Sequence, residues 1–346
     1  MPFNAMEHRL VGSTTAEMQL LGLGTVPLGG WPNEISEAHA FDMLQAAWDA
    51  GVRTFDTAPL YGCGLAEERL GAFLRDKPRE DVIISSKVGR LVLPDTMGDT
   101  SWGDARRHCV FDFSYDGIMK SVDASLARLG IDRLDILLLH DPDAHLHEAH
   151  THGFKALDQL RRAGAVTAIG AGMNQNPALC TLVSNLDLDI VLLAGRYTLL
   201  DQSALRELLP ICDRRGTSVM IGGVFNSGVL NDPRAGAHFD YLPLTDQWRE
   251  TALSRGARTP EAHETAEYWL SRAQSIKRVC DAHQVPIQAA ALQFAAAHPL
   301  VSSIVVGAGK PQRFAQNIAA LEVSVPHQLW LDLIDAELIP AHSPLP

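Results

Sequence analysis

DAGVRTF (49–55), RAGAVTAIG (162–170) and DRRGTSVMI (213–221) share one grammar: a helical ending, a glycine, and a short apolar or β-branched run. Glycine just past a helix accepts the left-handed backbone that a side chain resists, and the chain then re-enters as a strand. Repetition of that grammar is the mark of alternating β and α units.

Working outward, further runs of the same kind appear. Strands are expected at 20–24, 53–55, 82–86, 135–139, 167–170, 189–193, 218–221 and 303–306, with helices at 36–50, 66–74, 115–128, 153–162, 203–214 and 266–283. Ser36 fits an N-cap, with His39 where a full capping box has Glu or Gln. HRLVGS (8–13) and EMQLLG (17–22) read as an earlier hairpin. Eight strands alternating with helices, with no linker between halves, point to an α/β fold: one (β/α)8 TIM barrel over residues 1–346. The length beyond the ~250 residues typical of that fold falls in 91–114 and 230–264, read as extended βα loops. A doubly wound sheet is disfavoured, because Gly22-Leu-Gly24-Thr-Val-Pro27 has proline where a dinucleotide fingerprint needs its third glycine.

Composition is that of an ordinary globular chain, with 46% hydrophobic and 20% charged residues. A net charge of −12 without basic clusters argues against nucleic acid or anionic membranes as partners. No run reaches the ~18–20 apolar residues of a membrane span, and the N-terminus lacks a signal-peptide core. Cys63, Cys109, Cys180, Cys212 and Cys280 are odd in number and widely spaced, which favours reduced thiols and a cytoplasmic location. The expected assembly is a monomer or homodimer.

In such a barrel, chemistry gathers where strands end. Asp56 follows strand 2, Tyr61 lies in the loop after it, Lys87 closes strand 3 and His140 closes strand 4. Each alone reads as well as a solvated flank or a satisfied rim residue. Together they suit hydride chemistry. Tyrosine ordinarily titrates near pH 10, and a neighbouring ammonium is expected to lower that value while a carboxylate holds the lysine. An imidazole beside the phenol orients a substrate oxygen.

The ordered set Asp56, Tyr61, Lys87 and His140 resembles the catalytic tetrad of the aldo-keto reductases, over nearly the whole chain. FDTAPLYGCGLAEERLG, FDFSYDG, ILLLHDPD, LLAGRYTLLDQ and GGVFNSGVL are similar to the branch of NAD(P)-dependent aldose 1-dehydrogenases. The resemblance implies NAD, with NADP as an alternative, and a sugar or a pyridoxal-like small molecule as substrate. It implies cofactor contacts at Gly24, Thr25, Asn174, Phe225, Ser227, Gly307, Ala308, Lys310, Arg313, Gln316 and Asn317. The resemblance puts the family's usual glutamine on strand 6 at Ala194 or a neighbour in LLAGRYT, and its stacking aromatic after strand 7 at Gly222-Gly223, with Phe225 as a candidate substitute. Gly307 and Ala308 stand where NADP users place a basic residue and serine, which leans toward NAD. Trp31, Arg90, Trp102, Asp141 and Arg196 are expected near the substrate.

Two features compete with this reading. His140, His145, His147, His150 and His152 crowd HDPDAHLHEAHTHG, but all except His140 fall in one polar loop; no metal is expected, although a barrel metallohydrolase or a non-catalytic nucleotide-binding module stays open. Cys63, two residues past Tyr61, reads as a small packed thiol.

Overall fold

The computed structural model describes residues 2–94, 106–234 and 265–346. An antiparallel pair, β1 (His8–Leu10) and β2 (Glu17–Gln19), comes first, in the register His8 opposite Gln19. Then follow β3 (Leu21–Gly24), β4 (Thr54–Asp56) and β5 (Ile83–Val88). A second antiparallel pair, β6 (Arg90–Pro94) and β7 (Arg107–Phe111), stands outside the main sheet. It corrects the expectation of plain loop across 91–114. After it come β8 (Ile136–His140), β9 (Ala168–Met173), β10 (Ile190–Ala194), β11 (Ser218–Gly222) and β12 (Val301–Gly307). The eight strands β3, β4, β5, β8, β9, β10, β11 and β12 run parallel, and β12 pairs with β3 to close the barrel.

The helices around it are α1 (Glu37–Asp49), α2 (Leu65–Leu74), α3 (Tyr115–Leu129), α4 (Phe154–Arg162), α5 (Asn176–Asn185), α6 (Leu208–Arg215), α7 (Ala266–Ala282), α8 (Ile287–Ala296), α9 (Gln312–Glu322) and α10 (His327–Asp335). Ser36 caps α1 through the His39 amide at 3.1 Å. The three glycines of the opening motifs, Gly51, Gly164 and Gly216, have φ of +93°, +71° and +66°. The helix expected over 203–214 instead begins as a 3-10 turn, Ser203–Leu205, before α6. Helices α5, α8 and α10 lie outside the helical segments named from the sequence. In α8, every residue of IQAAALQFAA except Gln288 is buried, so no polar face marks its period.

Strand alternation sorts the side chains into two cores. Ile136, Leu138, Ala168, Ile190, Leu192, Met220 and Val305 fill the lumen, and Val11, Ala16 and Met18 from the β1–β2 hairpin region pack with them. Phe55, Ile84, Val88, Leu137 and Leu139 face outward and pack in the larger cluster with helix residues. Period two therefore puts Asp56, Lys87 and His140 on the inward face, at the C-terminal end of the lumen.

Behind β5, the outward Ser86 donates to Glu67 of α2 at 2.8 Å, and Arg128 of α3 donates to the same carboxylate at 2.7 Å. Glu67 is fully buried, so it depends on both partners. Arg128→Leu leaves that carboxylate without its cation and is expected to cost about 3 kcal/mol. The measurement is urea unfolding, where the midpoint falls and the slope stays constant.

Candidate active site

Three strands bring the central groups together. Asp56 is the last residue of β4, Lys87 is the penultimate residue of β5, and His140 ends β8. Asp56 and Lys87 thus belong to the strands rather than to the loop and strand end expected, and the ladder places Asp56 beside Ser85 and Lys87 beside Leu138. Lys87 Nζ donates to Asp56 Oδ2 at 2.8 Å, to the Thr57 carbonyl at 2.9 Å and to Tyr61 Oη at 3.0 Å. An ammonium has three hydrogens, and all three have acceptors here. Ser85 Oγ donates to Asp56 Oδ1 at 3.0 Å and orients the carboxylate from behind. Gly172 leaves room for the lysine stem: a Cβ there would lie 3.4 Å from Lys87 Cε.

The Tyr61 loop is shaped by a close backbone approach. A Cβ on Gly62 would stand 2.5 Å from the Gly29 carbonyl oxygen, and Gly62 has φ of +65°. Glycine meets both demands, and the loop turns its phenol to Lys87. His140 faces Tyr61 edge-on, with ring centroids 6.0 Å apart. Its Nε2 lies 3.5 Å from Asp141 Oδ2, and Asp141 in turn accepts from Arg90 at 3.0 Å. Arg90 also lies over the Phe111 ring, 4.0 Å from its centroid. Arg90 and Asp141 thus meet as one charged pair beside His140.

Burial governs the electrostatics. It pushes the Tyr61 phenol up to about 12; Lys87 pulls the other way without overcoming it. The net direction is opposite to that expected from the lysine alone, because loss of water around the phenolate outweighs one ammonium. Burial likewise opposes the charge on Lys87, but Asp56 and Tyr61 together outweigh it and raise its pKa. His140 is driven well below the ordinary imidazole range by burial first, then by Arg90 and Lys87. Asp143 is pushed up to about 7 by burial, then by Asp141.

On the neighbouring rim, Gly24 and Gly307 pair across β3 and β12. The Thr25 amide donates to the Asp56 carbonyl at 2.9 Å, and its buried hydroxyl has no hydrogen-bond partner among the described residues. Gly307, Lys310, Arg313 and Gln316 are exposed around the start of α9, while Ala308 and Asn317 turn inward. Asn174 is half-buried and accepts from Gln175 at 3.3 Å. Phe225 is half-buried against the outer core, and Ser227 is exposed.

The remaining expected contacts divide. Trp31 is half-buried just beyond the 3-10 turn Val26–Gly29, and Trp102 lies outside the described residues. Arg196 is 1% exposed, with its guanidinium 3.6 Å from the Asp201 carboxylate. The loop after β10 folds inward and takes the side chain with it. Ser85, Thr57 and Phe111 were not anticipated. Ser85 was within reach, since period two puts it on the same face as Lys87. In the histidine-rich loop, His145 lies against Phe111 and Phe113, with centroids 4.8 and 5.7 Å away. Among the described residues, no three His, Cys, Asp or Glu side chains are grouped to share an ion.

The chain is 39% identical to pyridoxal 4-dehydrogenase of Microbacterium luteolum, covering 98% of this chain and 100% of that one. It is 40% identical to D-threo-aldose 1-dehydrogenase of a Pseudomonas species, covering 92% and 94% respectively. Among solved structures, an aldo-keto reductase of Bacillus halodurans in holo form superposes with a TM-score of 0.72 at 22% identity, over 97% of each chain. Glycerol dehydrogenase of Gluconobacter oxydans also gives 0.72, at 20% identity, covering 99% of this chain and 98% of that one. The Aldo/keto reductase family model matches residues 20–334. With this barrel and this extent of match, the chain belongs to the aldo/keto reductase family and is an oxidoreductase.

Proposed function

We propose that the protein is a nicotinamide-dependent dehydrogenase that oxidises an aldose at C1, as the cyclic hemiacetal, to the lactone. The observation that carries this reading is the chain Asp56–Lys87–Tyr61, linked at 2.8 and 3.0 Å, with His140 across from the phenol. The two relatives near 40% identity are named for an aldose and for pyridoxal, both of which form cyclic hemiacetals. Oxidation of pyridoxal to its lactone is therefore the second reading. The ion pair of Arg90 and Asp141 beside His140 favours the hydroxyl-rich sugar, since both groups bond hydroxyls.

The cofactor assignment rests on what these residues offer. The unpartnered Thr25 hydroxyl, the open strand end at Gly307 and the cationic start of α9 at Lys310 and Arg313 suit a nicotinamide dinucleotide. When bound, its nicotinamide supplies the hydride acceptor. Neutral Gly307 and Ala308 favour NAD, and Arg313 with Lys310 leaves NADP a weaker hold.

In the oxidising direction Tyr61 Oη takes the proton of the C1 hydroxyl. That step starts from the phenolate, which Lys87 stabilises, and leaves Tyr61 as the neutral phenol; Asp56 keeps Lys87 charged and aimed. His140, neutral because it is buried between two cations, donates a hydrogen bond to the substrate oxygen without competing for the proton. In the reverse direction the protonated Tyr61 is the acid. The whole chain, 1–346, acts as one barrel unit with a small-molecule partner, in a cytoplasmic setting.

Tyr61→Phe removes the proton carrier and keeps the ring, so turnover is expected to fall by about 10²–10⁴-fold. Cofactor affinity, read by fluorescence titration, stays within twofold; normal turnover by this variant would sink the mechanism. A panel of L-fucose, L-galactose, D-arabinose and pyridoxal with NAD and with NADP, followed by nicotinamide absorbance, tests the substrate and cofactor together. An aldose with NAD is expected to give the highest kcat/KM, and pyridoxal ahead of every sugar selects the second reading. The third test concerns pH. His140 has a depressed folded pKa, and burial lowers His298 to about 4. Below about pH 6.5 the unfolded chain binds these protons first, so stability is full above that pH and is lost as pH falls toward the folded values. His140→Gln is expected to flatten part of that decline in a Tm-against-pH series, leaving the share of His298.

A further inference from the structure

Cys63 and Cys109 are 46 positions apart in sequence, yet their sulfurs meet at 3.7 Å. Cys63 lies in the loop that aims Tyr61, two residues beyond it, buried and with left-handed backbone at φ +49°. Cys109 is the middle residue of β7, half-buried, its sulfur also 3.7 Å from the Pro59 carbonyl. Both are reduced thiols. The strand paired with β7 carries Arg90, which holds Asp141 beside His140. The two thiols therefore join the segments that bear on Tyr61 and His140, and the reaction proposed above uses neither.

We propose that Cys63 and Cys109 form a redox modification site, in which a reversible disulfide ties the β6–β7 hairpin to the Tyr61 loop and slows turnover. A disulfide bond is about 2.05 Å long, so the sulfurs approach by roughly 1.6 Å. The loop has little slack to absorb that movement, because Gly29 and Gly62 already touch backbone to backbone. The strain passes to Tyr61, whose bond to Lys87 is 3.0 Å. A displacement on the order of 1 Å near a reacting group costs up to about 100-fold in rate.

The oxidant is a low-molecular-weight disulfide. Cys109 loses its proton to solvent, and its thiolate attacks one oxidant sulfur; the oxidant's S–S bond breaks and one half leaves, protonated, as a thiol. The Cys63 thiolate then attacks the Cys109 sulfur and displaces the second half as a thiol. Two protein thiols are oxidised and one small disulfide is reduced to two thiols. Donation to Cys63 and burial hold the Cys109 thiol above its ordinary pKa, so its attack is slow and needs sustained exposure to the oxidant.

The test treats the full chain with oxidised glutathione, removes it, and blocks residual thiols with an alkylating agent. Non-reducing peptide mapping is expected to recover Cys63 and Cys109 in one cross-linked species, with the titratable thiols of the denatured protein reduced by two. In parallel, kcat falls at least tenfold and returns with a dithiol, whereas Cys109→Ser keeps its own activity through the same treatment. Recovery of the two cysteines separately alkylated, or each carrying glutathione, overturns the site. A cross-link that leaves kcat unchanged, or an equal loss in Cys109→Ser, overturns the coupling to Tyr61. The activity arm rests on the dehydrogenase reading; the cross-link is read by mass alone, so failure of one is distinct from failure of the other.

Discussion

A buried ion pair organises this site. Lys87 and Asp56 stand 2.8 Å apart with almost no exposed surface, a setting in which each charge alone costs several kcal/mol of desolvation. The pair persists because the whole hydrogen-bonding capacity of the ammonium is met by Asp56, Thr57 and Tyr61, while Ser85 takes the other carboxylate oxygen. Barrel closure supplies that geometry. Neighbouring parallel strands β4 and β5 set Asp56 level with Ser85 and put Lys87 two residues further along the same inward face, above a packed lumen.

The same low-dielectric setting sets the protonation states around it. The phenol and the imidazole both favour their neutral forms, one pushed up to about 12 and the other held well below its ordinary range. A protonated phenol can give a proton to a carbonyl oxygen, whereas the opposite direction calls for the phenolate, whose cost the neighbouring Lys87 lowers. The aligned relatives differ in the substrates for which they are named, and that fits a division of labour between a fixed barrel floor and variable loops. Asp141 after β8 lies 3.5 Å from His140 and accepts from Arg90 on the β6–β7 hairpin.

Much of this was legible from local pattern. The glycines at 51, 164 and 216 mark helix ends because a positive φ is a local, single-residue demand. Period-two burial in IISSKV and ILLLH aims Lys87 and His140 inward for the same kind of reason. The buried helix α8 and the β6–β7 hairpin were not legible. One has no polar face to reveal its period, and the other is held outside the barrel by pairing between residues far apart in sequence.

The sequence by itself determined the alternation of strands and helices, the closed barrel it implies, and the four groups Asp56, Tyr61, Lys87 and His140, because each follows from short-range spacing. Only the tertiary structure decided what environment those groups share. It turned Arg196 inward onto Asp201, set burial above the lysine's pull on the Tyr61 phenol, and brought Cys63 against Cys109. Desolvation and contact depend on what packs around a residue, and that information exists only once distant segments have met.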